Sequence, residues 1–508
     1  MQLLLGLGFA SGMEFYVFDS VNLVLPDFAG ALGVSFDEAS WILVVYSSAL
    51  FLGIPLTGWV AGHFGFRRYI FASIALFTAA SMGCALAPSF NAMLFCRAIQ
   101  GFAGAALSTC WRASVYLFMD RTQRSPSMMQ ISTTLYLSSA AGLLVSGFLT
   151  DYFSWRLIFV PVLGFAAGAM WLLASCFPEV PPPPSPRLAR VDWIGMLLIG
   201  TSIVCLQIVL SRGHIDDWLA SPGLRWLAIL SACSLALFVA WQSSSRNAAP
   251  LLWIGLLKDR RVLASAAIGV FAGMILSGSL FVLPEFLREV ATPRYSATQA
   301  GRIIVTYALG AAALRPLVVP LNARFGQRKV AAGALVMLIV SMLVFWRLLT
   351  TDTPDLYFLL PLVLYACCLS PLLPSVGSGT VARIEQNKVL DGVTLYITFR
   401  QLGASLGVAL LTVLLEQRET LHSRNLYDTV RTNVPAVVDY LAATKSILVS
   451  DYGLSKMDAA RAATSYLAES AQRQVETLSY ADAFLFMACV GALALCFVPL
   501  MPPPPARK

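Results

Sequence analysis

Charge is scarce in this sequence. Only 12% of its 508 residues are Asp, Glu, Lys or Arg, while 58% are hydrophobic and mean hydropathy is +0.73. Soluble domains carry about a quarter charged residues, so a soluble globular fold is excluded. Histidine is nearly absent: His63, His214 and His422 are all expected in loops. A membrane enzyme such as an acyltransferase would need a His/Asp or metal cluster near one face, and this scarcity counts against it. The ten cysteines fall within apolar runs, with no CxxC and no Cys/His ligand spacing. Neither a disulfide framework, a metal site nor a cofactor is implied. A cleavable signal peptide is not evident either, because the first apolar segment is long and contains Glu14 and Asp19. The net charge of +8 is better explained by basic residues collecting on the cytoplasmic side of a membrane than by a nucleic-acid partner.

What the chain does have is apolar segments of about 20 residues, the length that crosses a bilayer as helix. The runs lack strict alternation, which excludes a membrane β-barrel and predicts an all-α polytopic membrane protein. Fourteen transmembrane helices are expected, near 3–26, 40–61, 68–87, 91–118, 127–149, 155–177, 193–212, 223–243, 263–287, 297–321, 329–349, 355–380, 390–416 and 480–502. Short loops after even-numbered helices are rich in Lys and Arg, those after odd-numbered helices poor, so both termini are expected in the cytoplasm.

A short basic turn occurs twice. "GHFGFRRYI" (62–70) and "ARFGQRKVA" (323–331) align Phe64-Gly65 with Phe325-Gly326, and Arg67-Arg68 with Arg328-Lys329. Each joins the second and third helices of a six-helix set. This divides the chain into an N-terminal bundle (1–177), a proline-rich linker with two inserted helices (178–250), and a C-terminal bundle (251–508). Two parallel halves related by an axis along the membrane normal are a transporter plan. A non-transporting receptor or scaffold fits this repeat and the buried charges poorly.

"GWVAGHFGFRRYI" (58–70) resembles the loop signature of the major facilitator superfamily, with Gly58, Gly65, Arg67 and Arg68 matching and Gly62 standing where an Asp is usual. "LFCRAIQGFAGAA" (94–106) is similar to the fourth-helix pattern of that superfamily's drug:proton antiporters. "VNLVLPDFAGALGVSFDEASWILVVY" (21–46) and "FRQLGASLGVAL" (399–410) resemble its 14-helix, EmrB/QacA-like branch. The glycine-proline motif of helix 5 would fall on "GLLVSG" (142–147), where Leu143 and Ser146 depart from it. The resemblance implies the major facilitator fold, two six-helix bundles plus two inserted helices. It also implies proton-coupled efflux of small amphipathic compounds across the inner membrane, of multidrug type or for one endogenous metabolite. A membrane-fusion adaptor docking at the long trans-side loop 417–479, itself expected to form one or two short surface helices, is implied as well.

An ionisable side chain at bilayer depth marks a pathway or relay by default. Glu14 lies near the middle of the first helix and is the better proton carrier; Asp19 lies nearer its outer end. Arg97 on the fourth helix sits at a depth matching Asp19, so an Asp19–Arg97 pair is geometrically allowed, equally as coupling element or as static tie. Arg112, Arg315 and Arg400 are expected to line a substrate cavity with Tyr16 and Gln100; Tyr136, Tyr307, Tyr365 and Tyr396 could supply stacking surface. Surplus arginine favours anionic or weakly acidic substrates. Arg302, near a helix end, is read as reaching the surface. Gly58, Gly65, Arg67, Arg68, Gly326, Arg328 and Lys329 are expected to gate the cytoplasmic side, with the basic residues on helix C-termini or lipid headgroups. Gly164-x-x-x-Gly168 and Gly403-x-x-x-Gly407 have the spacing of close helix packing.

Overall fold

The computed structural model describes residues 1–178, 192–213, 218–244, 246–247, 250–381, 389–429 and 435–501. The prolines of the expected linker beyond Pro178, together with His214, Arg383 and Lys388, lie outside the described residues. The described residues form sixteen α-helices. The N-terminal half comprises α1 (Gln2–Leu23), α2 (Leu25–Leu32), α3 (Phe36–Phe64), α4 (Phe66–Ala85), α5 (Phe90–Phe118), α6 (Arg121–Tyr152) and α7 (Pro161–Cys176). The inserted pair is α8 (Trp193–Arg212) and α9 (Pro222–Gln242). The C-terminal half comprises α10 (Arg260–Glu285), α11 (Ala297–Phe325), α12 (Gln327–Leu348), α13 (Asp355–Val381), α14 (Val389–Thr429), α15 (Pro435–Ser450) and α16 (Lys456–Phe497).

All fourteen expected spans are helical. Among the described residues thirteen helices are long and apolar enough to cross a membrane. The fourteenth, α1, falls short because Glu14 and Asp19 lie in it, and both are buried. Expected as one span to residue 26, it breaks at Val24, and the chain restarts as α2 with Pro26 in its first turn. Proline has no N–H to lose there and a pre-set φ.

The internal repeat goes deeper than the basic turn. α3 and α11, the second helices of their halves, both begin with a capping box, Ser35 with Glu38 and Ser296 with Gln299. In each box the hydroxyl accepts one orphan N–H and the N3 side chain accepts another. Both helices run 29 residues and end on a glycine of left-handed φ, 89° at Gly65 and 81° at Gly326. A Cβ is disfavoured at that φ, so the turn requires glycine. Between halves, α3 packs on α14 and α6 on α11, so the second helix of each half meets the fifth of the other. That reciprocity is the mark of a two-fold relation.

The inserted pair packs outside this seam. Phe51 of α3, Ile199 and Ile203 of α8, Phe238 of α9 and Leu395 of α14 share one apolar cluster. Asp192 fixes the pair's ends by accepting from Gly195 N–H (2.8 Å), Trp241 Nε1 (2.7 Å) and Gln242 Nε2 (2.6 Å).

Of the two glycine pairs, Gly403 and Gly407 do let α14 close on α10: a Cβ there would lie 1.9 Å from Val270 O and 2.5 Å from Met274 O. Gly164 faces open space and Gly168 meets only the Phe9 ring of α1 at ordinary contact distance, so that spacing brings no helix backbone close. The described residues of 417–479 form longer helices than the one or two short ones expected. α14 continues to Thr429, and α16 runs 42 residues from the hydrophilic segment into the last span. No proline or glycine interrupts 456–490, so the helix ends where its propensity ends, not where the apolar run does. α15 packs on it through Leu448, Ala459 and Ala463. His63 and His422 also lie on helices, α3 and α14. His63 stacks on Trp59, its neighbour one turn back (5.3 Å between ring centroids), and His422 Nε2 lies 2.9 Å from Asp482 Oδ2.

Candidate functional site

A cavity of about 460 Å³ lies between the halves. It is walled by α1, α3, α5 and α6 on one side and by α10, α11, α13 and α14 on the other. Asp19 lies toward its inner end; Arg124, Asn322 and Gln327 line the end that carries the two basic turns. Beyond Asp19 the halves meet. Arg288 grips Asp27 through both guanidinium Nη atoms and also donates to Leu23 O (3.4 Å). Asp151, at the end of α6, accepts from the N–H groups of Ala297 (3.1 Å) and Thr298 (2.7 Å), capping α11 of the other half. A carboxylate at a helix N-terminus satisfies free donors and complements the dipole. Gly301 lets α11 approach Leu143 O, and Gly147 lets α6 approach Ala297 O. The cavity is therefore shut beyond Asp19 and reaches toward the basic turns.

Of the residues singled out from the sequence, Glu14, Asp19, Arg112, Arg315 and Arg400 line the cavity. The cations acting on Glu14 are Arg400 and Arg112. Arg112 donates to Ser108 O (2.6 Å) and lies 4.1 Å over the Trp111 ring. Arg315 is buried and committed to bonds: it donates to Ser370 O in its own half and to Ser132 Oγ of α6 across the seam (2.9 Å). Arg400 Nε and Glu14 Oε2 are buried without a hydrogen-bond partner among the described residues. Unpaired buried polar atoms are costly, and around a cavity they mark places a ligand can satisfy. Arg302 is exposed.

Three expectations are corrected. Asp19 and Arg97 do not pair. Asp19 accepts from Ser139 of α6 and from Tyr307 of α11 (2.9 Å), whereas Arg97, fully buried, donates to Ile42 O (3.2 Å) and Gln100 Oε1 (2.5 Å) and lies 4.2 Å over the Tyr46 ring. Matching depth placed them level, but depth says nothing of rotation about the helix axis. Gln100 is outside the cavity, tying Arg97 to Ser81 Oγ through Nε2 (2.7 Å). Tyr16 is outside it too, packed on Phe165 at 5.5 Å because α1 turns that face toward α7. Sequence reading missed Ser132, Ser139 and Arg124 of α6: hydroxyls of helix serines commonly bond their own backbone, so nothing local distinguishes those facing a cavity. Tyr136, Tyr307, Tyr365 and Tyr396 do line it.

At the gating turns, Arg67 donates to Ala174 O at the C-terminal end of α7 (3.0 Å), within its own half. Arg68 and Lys329 are exposed, as is Gly58.

Two bundles that meet second helix to fifth, enclosing a cavity shut at one end, define an alternating-access membrane transporter rather than an enzyme. The profile of the Major Facilitator Superfamily matches residues 4–284, and the chain belongs to that family. It is 26% identical to the Multidrug export protein EmrB of Haemophilus influenzae, over 99% of this chain and 96% of that protein. It is 27% identical to the Probable multidrug resistance protein EmrY of Escherichia coli, over 80% and 79%. In fold it is similar to the xylose transporter XylE of E. coli (TM-score 0.59, 13% identity, 100% and 98% covered). The human organic anion transporter MFSD10 is similar in fold as well (TM-score 0.57, 16% identity, 96% and 99% covered).

Proposed function

We propose that this protein exports amphipathic organic compounds across a bacterial inner membrane, driven by proton influx, with both termini and the basic turns in the cytoplasm. The observation that carries the reading is the cavity itself. Glu14, a carboxylate buried among apolar residues, shares it with Arg112 and Arg400, and the cavity reaches toward one side only. The export activity named for the EmrB and EmrY relatives supports the direction. In the cycle, substrate and proton compete for one charged chamber. A proton entering from outside neutralises Glu14 and is released to the cytoplasm when the cavity faces inward. A transporter so coupled should move protons when substrate is added to proteoliposomes. Glu14→Gln should abolish uphill export and leave substrate exchange measurable, because exchange needs no deprotonation. A variant that still concentrates substrate would remove Glu14 from the coupling role.

Substrate sign follows from the same chamber. Arg112, Arg124, Arg315 and Arg400 line it against two carboxylates, so anionic or weakly acidic aromatics should bind better than cationic dyes. A matched acid and amide, competed against each other, should favour the acid. Preference for a cation would overturn the electrostatic reading.

The hydrophilic extension supports an adaptor docking on the trans side. Tyr440, Ile447, Tyr452, Met457 and Tyr466 are exposed on α15, α16 and the turn between them. Apolar side chains clustered on a surface mark interaction sites.

A further inference from the structure

At the cavity's closed end Asp19, a carboxylate of the N-terminal half, is hydrogen-bonded to a side chain of the C-terminal half, as Asp27 is to Arg288 beyond it. Three oxygens form a triangle there: Asp19 Oδ2, Ser139 Oγ and Tyr307 OH. Tyr307 lies 2.9 Å from Asp19 and 2.9 Å from Ser139, and Ser139 is bonded to Asp19. The two hydroxyls bring two hydrogens for three edges. A proton on Asp19 supplies the third and closes the ring.

Tyr307 is itself anchored. Its ring stands edge-on to Tyr365 at 5.7 Å, and the Tyr365 hydroxyl accepts from Ser279 (2.9 Å) and donates to Leu276 O (3.3 Å) on α10. The line from Asp19 therefore runs into the core of the C-terminal half. The titratable groups around Asp19 are Tyr307 on α11, Tyr365 behind it on α13, and Glu14 on its own helix. Among the described residues no arginine or lysine lies within ion-pairing distance of it. An ionised Asp19, buried at this seam, carries a charge with no counter-ion among the described residues. Two hydroxyl donors recover only part of its lost hydration. Separation of the halves, which lets water reach it, relieves the rest.

We propose that Tyr307 is the positioning residue through which the C-terminal half reads the proton on Asp19. Protonated, Asp19 completes the ring and holds this end shut. When the proton leaves toward the cytoplasm, the ring opens and the shut end is free to part, which is the order an efflux antiporter requires. The inference rests on proton coupling and goes beyond it by naming the group that converts protonation into movement.

The test uses full-length protein carrying one label on each half, in proteoliposomes, with the inward-to-outward ratio measured in mildly acidic and mildly alkaline buffer. Wild type should move toward outward-facing as pH rises. Tyr307→Phe keeps the ring against Tyr365 and removes one hydroxyl; it should cut that pH response by about ten-fold, the worth of one buried hydrogen bond. Asp19→Asn, a fixed neutral side chain, should stay inward-facing at both pH values, which keeps the proposal testable if the tyrosine variant folds poorly. A wild-type response with an equal response in Tyr307→Phe would overturn the role of Tyr307 alone. No response in wild type would overturn proton coupling and this inference with it.

Discussion

The two ends of the seam between the halves are held differently. At the shut end the bonds cross from one half to the other: Asp27 to Arg288, Asp151 to the first N–H groups of α11, and the Asp19 triangle behind them. At the end with the basic turns, one bond of Arg67, to Ala174 O, lies within its own half. Bonds that cross must break when the cavity changes sides; bonds within a half can survive the whole cycle. One end therefore sets which state the protein adopts, and the other keeps each bundle rigid while it moves.

The largest effect is expected from breaking a crossing bond. Arg288 is nearly buried and holds both oxygens of Asp27, which is partly exposed. A two-pronged charge-assisted bond is worth about 1.5–3 kcal/mol, so Arg288→Met should shift the inward-to-outward ratio toward outward by about ten- to a hundred-fold. Distance measurements between labels on the two halves would read it. An unchanged distribution would mean that the Asp151 cap, the Asp19 triangle and the packing of α6 on α11 hold this end without it.

How far this asymmetry could be read in the sequence depends on what each feature encodes. The fourteen spans, the two halves and the inserted pair follow from hydrophobic length and from the repeated turn, both local properties of the chain. The capping boxes at Ser35 and Ser296 were equally legible and strengthen the repeat. What sequence could not supply is rotation about a helix axis. Glu14 and Asp19 stand out because charge at membrane depth is rare, but only the packed structure turns Asp19 toward Tyr307 and away from Arg97. The crossing bonds share this limit. Asp27, Asp151 and Arg288 read as ordinary residues at helix ends, and their partners are 261 and 147 positions away at the farthest.

The smallest effect is expected at the turn that stood out most in the sequence. Read alone, the paired basic turns suggest clasps between the halves, and a clasp would make Arg67→Ala as disruptive as Arg288→Met. Two observations argue otherwise. Gly62 stands where an acid would be needed to lock this end across the seam, and Arg67 caps a carbonyl of α7 in its own bundle. An arginine at a helix C-terminus, half-exposed beside Phe71 (5.9 Å from its centroid), contributes about 0.3–1 kcal/mol. Losing it should therefore lower the thermal stability of the detergent-solubilised protein slightly. The inward-to-outward ratio should stay within about two-fold of wild type, since a bond inside one half contributes equally to both states. Measured side by side with Arg288→Met, a shift of comparable size would return the turn to the role of clasp and erase the distinction between the two ends.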